Sequence, residues 1–184
     1  MKKIPTMFER DWQGDRSRVV DEIHAGCEWV AAGEGVATRK IDGTCCRIRD
    51  GRLYKRQEIK PGQAPPPDFE EDDFDEETGK RVGWRPVGEG PEDRWHREGF
   101  ANLAAKADGT YELVGPHAQK NPEKYDRDVL VPHTIEALGI ADDVPRDFHG
   151  LKAYLADRDV EGIVFHHPDG RRAKIKKRDF GLKR

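Results

Sequence analysis

Lys40 is the residue with the clearest capacity for chemistry. It stands in Ala37-Thr38-Arg39-Lys40-Ile41-Asp42-Gly43-Thr44, with a carboxylate two positions on and then a glycine. Val36 to Lys40 reads as a short strand. Thr44 to Arg49 and Arg52 to Glu58 read as two more, joined at Asp50-Gly51, a dipeptide that favours a tight hairpin turn. A lysine held on a sheet among other cations loses its proton readily, and a neutral amine is a nucleophile where an ammonium is not. Lys174 and Lys176 are two apart on another predicted strand, so both project from one face while Ile175 points the other way. Two cations so placed can meet one phosphate. The same spacing also suits a solvated edge strand guarded by lysines. Glu161 to His166 and Ala173 to Lys177 read as a hairpin turning at Pro168-Asp169-Gly170, and the glycine after Glu161 permits close backbone approach.

The order of these segments carries more than any one of them. After Lys40 come Tyr111-Glu112-Leu113-Val114-Gly115-Pro116, then Glu161-Gly162-Ile163-Val164-Phe165, then Lys174-Ile175-Lys176. That order resembles the covalent nucleotidyltransferases, the superfamily of ATP-dependent RNA ligases, DNA ligases and mRNA capping enzymes. Within it the chain looks most like a small ATP-dependent RNA ligase, from about Val36 to the C-terminus. The resemblance implies a single strand-rich α+β nucleotidyltransferase (adenylyltransferase) domain of ATP-grasp-like ligase type over residues 1–184, with antiparallel sheets and a few short helices.

The resemblance also implies roles. Lys40 would attack the α-phosphate of ATP to form a lysyl-AMP, and Lys174 and Lys176 would stabilise the phosphoryl charge. Glu161 would engage a Mg²⁺ or Mn²⁺ ion, directly or through water. Glu112 would accept a hydrogen bond from the ribose, although the family usually has Gly-Glu where this chain has Tyr111-Glu112. Asp42 and Gly43 would shape the turn beside the nucleophile, Arg56 would contact the nucleotide sugar or phosphates, and Val164 would lie against the purine. His133, His166 and His167 are explained as well by packing, and none is assigned to a metal. DNA ligases and capping enzymes add an oligonucleotide-binding barrel after the last lysine motif, and no barrel fits in the eight residues after Lys176. The expected reaction is therefore RNA sealing: AMP transfer to an RNA 5′-phosphate, then attack by a 3′-hydroxyl. A partner protein that supplies the barrel stays open, as do a minimal DNA or nick-sealing ligase, a GTP-using guanylyltransferase and a non-catalytic RNA-binding protein.

The elements that must hold these residues are set by a lean composition. In 184 residues the hydrophobic fraction is 35 % and the charged fraction 38 %, with a net charge of −3. The average conceals the distribution: residues 68–77 hold eight acids, whereas 171–184 hold eight Lys or Arg and one Asp. The basic end would grip an RNA backbone, with Lys177, Arg178, Lys183 and Arg184 beside Lys176. Residues 61–99 contain Pro65-Pro66-Pro67 and the acidic run, and are expected to form a long exposed loop. Trp84 and Trp95 within it either anchor the loop or stack on a base. Val129 to Val131 reads as a strand, Thr134 to Leu138 as a helical turn, and Asp147 as the N-cap of a helix through Leu155. His24 and Cys27 resemble half a metal site without a second half. Cys27, Cys45 and Cys46 suggest no disulfide framework, and no signal peptide or membrane span is visible, so a soluble cytoplasmic protein is expected.

Overall fold

The computed structural model describes residues 3–76 and 78–184; Met1, Lys2 and Glu77, the last acid of the run at 68–77, lie outside the described residues. Eleven strands and four short helices follow in chain order. They are β1 (Phe8–Arg10), β2 (Val19–Ile23), α1 (Glu28–Ala31), β3 (Val36–Lys40), β4 (Thr44–Arg49), β5 (Arg52–Ile59), β6 (Glu70–Asp75), β7 (Lys80–Pro86), α2 (Arg94–Ala101), β8 (Gly109–Val114), β9 (Val129–Pro132), α3 (Ile135–Leu138), α4 (Phe148–Ala156), β10 (Gly162–His166) and β11 (Arg172–Lys176). Every strand pair within the sheets is antiparallel. The protein is thus strand-rich α+β with few short helices, as expected. No helix is long and apolar enough to cross a membrane.

The chain divides into two compact units. The terminal unit joins Ile4–Ile41 to Leu138–Arg184. Its three-stranded sheet has the order β11-β10-β3, and β1 and β2 form a separate ribbon. The core contains Phe8, Val30, Ile163, Phe165 and Ile175, with Leu151 and Leu155 from α4. Because strand residues alternate between faces, Ile163, Phe165 and Ile175 commit one face of the sheet to this core. The other face carries Lys40 and Thr38 of β3, Gly162, Val164 and His166 of β10, and Lys174 and Lys176 of β11, as their register requires. Asp147 caps α4 by accepting a hydrogen bond from the Gly150 N–H at 2.8 Å.

The middle unit, Asp42–Ala137 with Lys3, is built on a six-stranded sheet of order β6-β7-β5-β4-β8-β9. Cys46, Ile48, Leu53, Tyr111, Leu113 and Leu130 make its core, with Phe100 of α2 packed against them. Asp50 and Gly51 both have positive φ, 51° and 70°, between paired Arg49 and Arg52, which is the geometry of a type I′ hairpin turn.

Residues 61–99 depart from the loop expected there. They contain β6, β7 and the start of α2. The acidic run forms the edge strand, and cations from distant parts of the chain neutralise it. Arg47 and Arg49 reach Glu70 at 3.0 and 2.8 Å, Arg85 reaches Asp68 at 2.9 Å, and Arg81 reaches Glu71 at 3.5 Å. A strongly charged edge also discourages pairing with other chains. Trp84 is fully buried and anchors β7, with the guanidinium carbons of Arg47 and Arg56 4.8 and 5.5 Å from its ring centroid. Trp95 lies flat on His117, with centroids 3.4 Å apart.

Candidate functional site

The register of the terminal sheet puts Lys40 and Lys176 on either side of Gly162, one on each neighbouring strand. Glu161, immediately before β10, lies between them. Its Oε2 accepts a hydrogen bond from Lys40 Nζ at 2.6 Å and its Oε1 accepts one from Lys176 Nζ at 2.5 Å. Lys40 Nζ also donates to the Ile41 carbonyl at 3.4 Å. Gly162 makes this closeness possible, because a Cβ there would fall 2.1 Å from the Ile175 carbonyl oxygen and 2.8 Å from Lys176 Cα.

One carboxylate between two ammonium groups in a mostly buried setting perturbs all three. Burial works to raise the Glu161 pKa, but the Lys40 and Lys176 charges and their hydrogen bonds outweigh it and hold the carboxyl below its ordinary range. Burial first, and then the Lys40 charge, pull the Lys176 ammonium below the ordinary lysine value despite the support of Glu161. Lys174 shares the face of Lys176 one residue pair further along, opposite Val164, while Ile175 is fully buried on the other side. Beside Val164, Thr38 and His166 form a buried pair, Thr38 Oγ1 to His166 Nε2 at 2.8 Å. The Thr38 part of that pair escapes a sequence reading because only the register reveals it.

The cluster has one carboxylate, with a lysine on each oxygen. A hard ion such as Mg²⁺ keeps several waters and is commonly held by one or two carboxylates plus substrate phosphates, so Glu161 fits such an ion only with phosphates completing its shell.

In the middle unit, Glu112 on β8 is the centre of a second cluster. Its Oε1 accepts from the Gly43 N–H at 3.1 Å, and its Oε2 meets His133 Nε2 at 2.9 Å. Gly43 has no room for a side chain, since a Cβ would lie 2.2 Å from the Leu113 carbonyl oxygen. His133 Nδ1 faces Thr110 Oγ1 at 3.2 Å. Cys45 pairs directly across from Glu112, and the ligand-type atoms of Cys45, Glu112 and His133 lie within 4.8 Å of one another. A thiol, a carboxylate and an imidazole suit Zn²⁺ and not Mg²⁺. This is the one such trio among the described residues. His24 and Cys27 do not extend to a site: His24 pairs with Glu9 at 2.8 Å, and burial pushes the Cys27 thiol up to about 11. The Asp42 N–H donates to Glu123 at 3.0 Å, and Arg56 stands opposite Trp84 in the β5–β7 register.

Of the residues singled out in the sequence, the structure thus brings Lys40, Glu161 and Lys176 into direct contact, places Lys174 and Val164 on the same sheet face, and groups Gly43 with Glu112. The involvement of His133 with Glu112 was not assigned from sequence, where packing explained it equally well. The chain matches no protein-family model and no curated protein.

Proposed function

We propose that this chain is an ATP-dependent RNA ligase that works through a lysyl-AMP intermediate. The observation that supports this best is the carboxylate of Glu161 clasped between Lys40 and Lys176. Binding alone needs neither a buried carboxylate shared by two lysines nor a glycine that admits both strands so closely.

In this reading Lys40, having released its proton to solvent, attacks the α-phosphorus of ATP. A P–N bond forms, the bond to the bridging oxygen breaks, and pyrophosphate leaves. Glu161, held below the ordinary carboxylate range, stays anionic near neutral pH and positions the Lys40 side chain. Lys176, and Lys174 on the same face, stabilise negative charge on the phosphoryl oxygens. An RNA 5′-phosphate oxygen then attacks the same phosphorus and returns Lys40 as the free amine. Finally a 3′-hydroxyl attacks the activated 5′-phosphate, forming the phosphodiester and releasing AMP. Mg²⁺ or Mn²⁺, if held by Glu161 and the phosphates, would add positive charge at the reacting phosphate. Glu112, Arg56, Asp42 and Gly43 enter this reading through the resemblance alone.

Incubation with α-labelled ATP or GTP tests the first step, and sealing of RNA or DNA strands with 5′-phosphate and 3′-hydroxyl ends tests the rest. Label from ATP and sealing of RNA are expected. Label from GTP would move the assignment to a guanylyltransferase, preferential sealing of DNA would move it to a nick-sealing ligase, and no label would leave a binding protein.

A further inference from the structure

A second cationic feature of the terminal unit is separate from the Lys40 cluster. Arg10, Arg16, Ser17, Arg18, Arg178, Asp179, Gly181 and Leu182 line an open cavity of about 460 Å³. Four guanidinium groups face one carboxylate there. Arg10 is fixed by three acceptors: Asp179 Oδ1 at 2.9 Å, the Ser17 carbonyl at 3.1 Å and Thr6 Oγ1 at 3.1 Å. Arg18 pairs with Asp15 at 3.2 Å. Arg16 and Arg178 have no carboxylate partner among the described residues, so the cavity keeps a surplus of positive charge. Gly181 makes room for it, since a side chain at that position would overlap the Arg18 guanidinium.

Two neighbours give this charge a direction. Trp12 is 47 % exposed, unusually open for so large an apolar ring, and the Arg16 guanidinium carbon lies 5.6 Å from its centroid. The Trp12 N–H donates to the Arg10 carbonyl at 2.8 Å, which ties the ring's backbone to the cavity wall. Asp179, which holds Arg10, also accepts the backbone N–H of Lys176 at 2.9 Å through Oδ2. One carboxylate therefore links the cavity to the strand end that carries Lys176.

Guanidinium groups recognise phosphate oxygens, and an exposed indole beside them offers a stacking surface that any base can use. We propose that this cavity binds a backbone phosphate of single-stranded RNA, with an adjoining base stacked on Trp12. The proposal rests on the RNA-ligase reading for its choice of nucleic acid, and it places the strand beside the β-strand end that holds Lys176. Trp12, Arg16 and Arg178 are surface residues, so changing them spares the core.

The test is binding of a short fluorescent single-stranded RNA to the full chain, by anisotropy, without ATP or metal. Trp12→Ala is expected to weaken binding by roughly fivefold to a hundredfold, the usual worth of one stacked base. Arg16→Gln with Arg178→Gln is expected to lower the slope of log affinity against log salt by about 1.4, for two lost phosphate contacts on a single strand. Unchanged affinity in Trp12→Ala would overturn the proposal and leave a plain anion site; an unchanged salt slope in the double variant would overturn the phosphate contact. Covalent AMP labelling measured in parallel separates the two readings. Trp12-dependent binding without labelling sinks the ligase and keeps this site, whereas labelling with variants that bind like the wild type does the reverse.

Discussion

Replacing Glu161 with glutamine leaves two ammonium groups, Lys40 and Lys176, around an amide with no anion between them. The side chains of Lys40, Glu161 and Lys176 are 21, 15 and 14 % exposed. An exposed ion pair is worth about 0–1 kcal/mol, whereas breaking a buried one costs about 3–5 kcal/mol. These partly buried groups fall between the two limits, so the loss at neutral pH is ~2 kcal/mol, or ~4–8 °C in melting temperature for a chain of this size. The deficit should also follow pH. The folded pKa of Glu161 lies below its ordinary 4.5, so its contribution is present above that pH and is lost as pH falls through the folded value. In acid the wild type therefore converges on the variant. In Glu161→Gln, Lys176 loses the carboxylate that supported its charge and keeps the burial and the Lys40 charge that oppose it. A lysine depressed in the folded state binds fewer protons there than when unfolded, so stability rises with pH in the window below 10.5. The deficit should peak near neutrality and narrow toward both extremes. Thermal melts of the two proteins followed by circular dichroism across this range decide it. A deficit that is absent at neutral pH, or constant across the range, refutes the description of Glu161 as the anion shared by two lysines.

Two further substitutions test the scaffold. Asp147→Ala removes the cap of α4 and should cost ~1 kcal/mol in a denaturant melt, with Asp147→Asn recovering most of it; an unchanged midpoint would mean the Gly150 contact is not a cap in solution. Trp84→Ala empties a fully buried site in the middle unit and should cost ~3–5 kcal/mol. A loss below about 1 kcal/mol would return the segment around β7 to the exposed loop that its composition suggests.

Local signals account for much of what was legible in the sequence. β3 and β4 match the expected bounds, the Asp50-Gly51 turn forms where the dipeptide predicts it, and Asp147 caps the helix whose apolar spacing marks it. The acidic strand was not legible because its stability comes from arginines far along the chain, and a run of acids reads as solvated until those partners are known. The division into two units was equally hidden, since the terminal unit joins the two ends of the chain and no local pattern records that pairing. At the site, the spacing of Lys174 and Lys176 revealed their common face. The contact of Glu161 with Lys40 spans 121 residues and depends on the β3–β10 register, for which the residues alone gave no signal. The link of His133 to Glu112 depends similarly on the pairing of β8 with β9.

The most direct test of the central claim is to ask which lysine becomes bonded to AMP. The full chain is incubated with ATP and Mg²⁺ or Mn²⁺, and its intact mass is measured before and after proteolytic mapping of the modified peptide. The account predicts one AMP per chain on Lys40, lost in Lys40→Ala and absent when ATP is omitted. An adduct on Lys176 that persists in Lys40→Ala, or no adduct with folded protein and both metals, would contradict it.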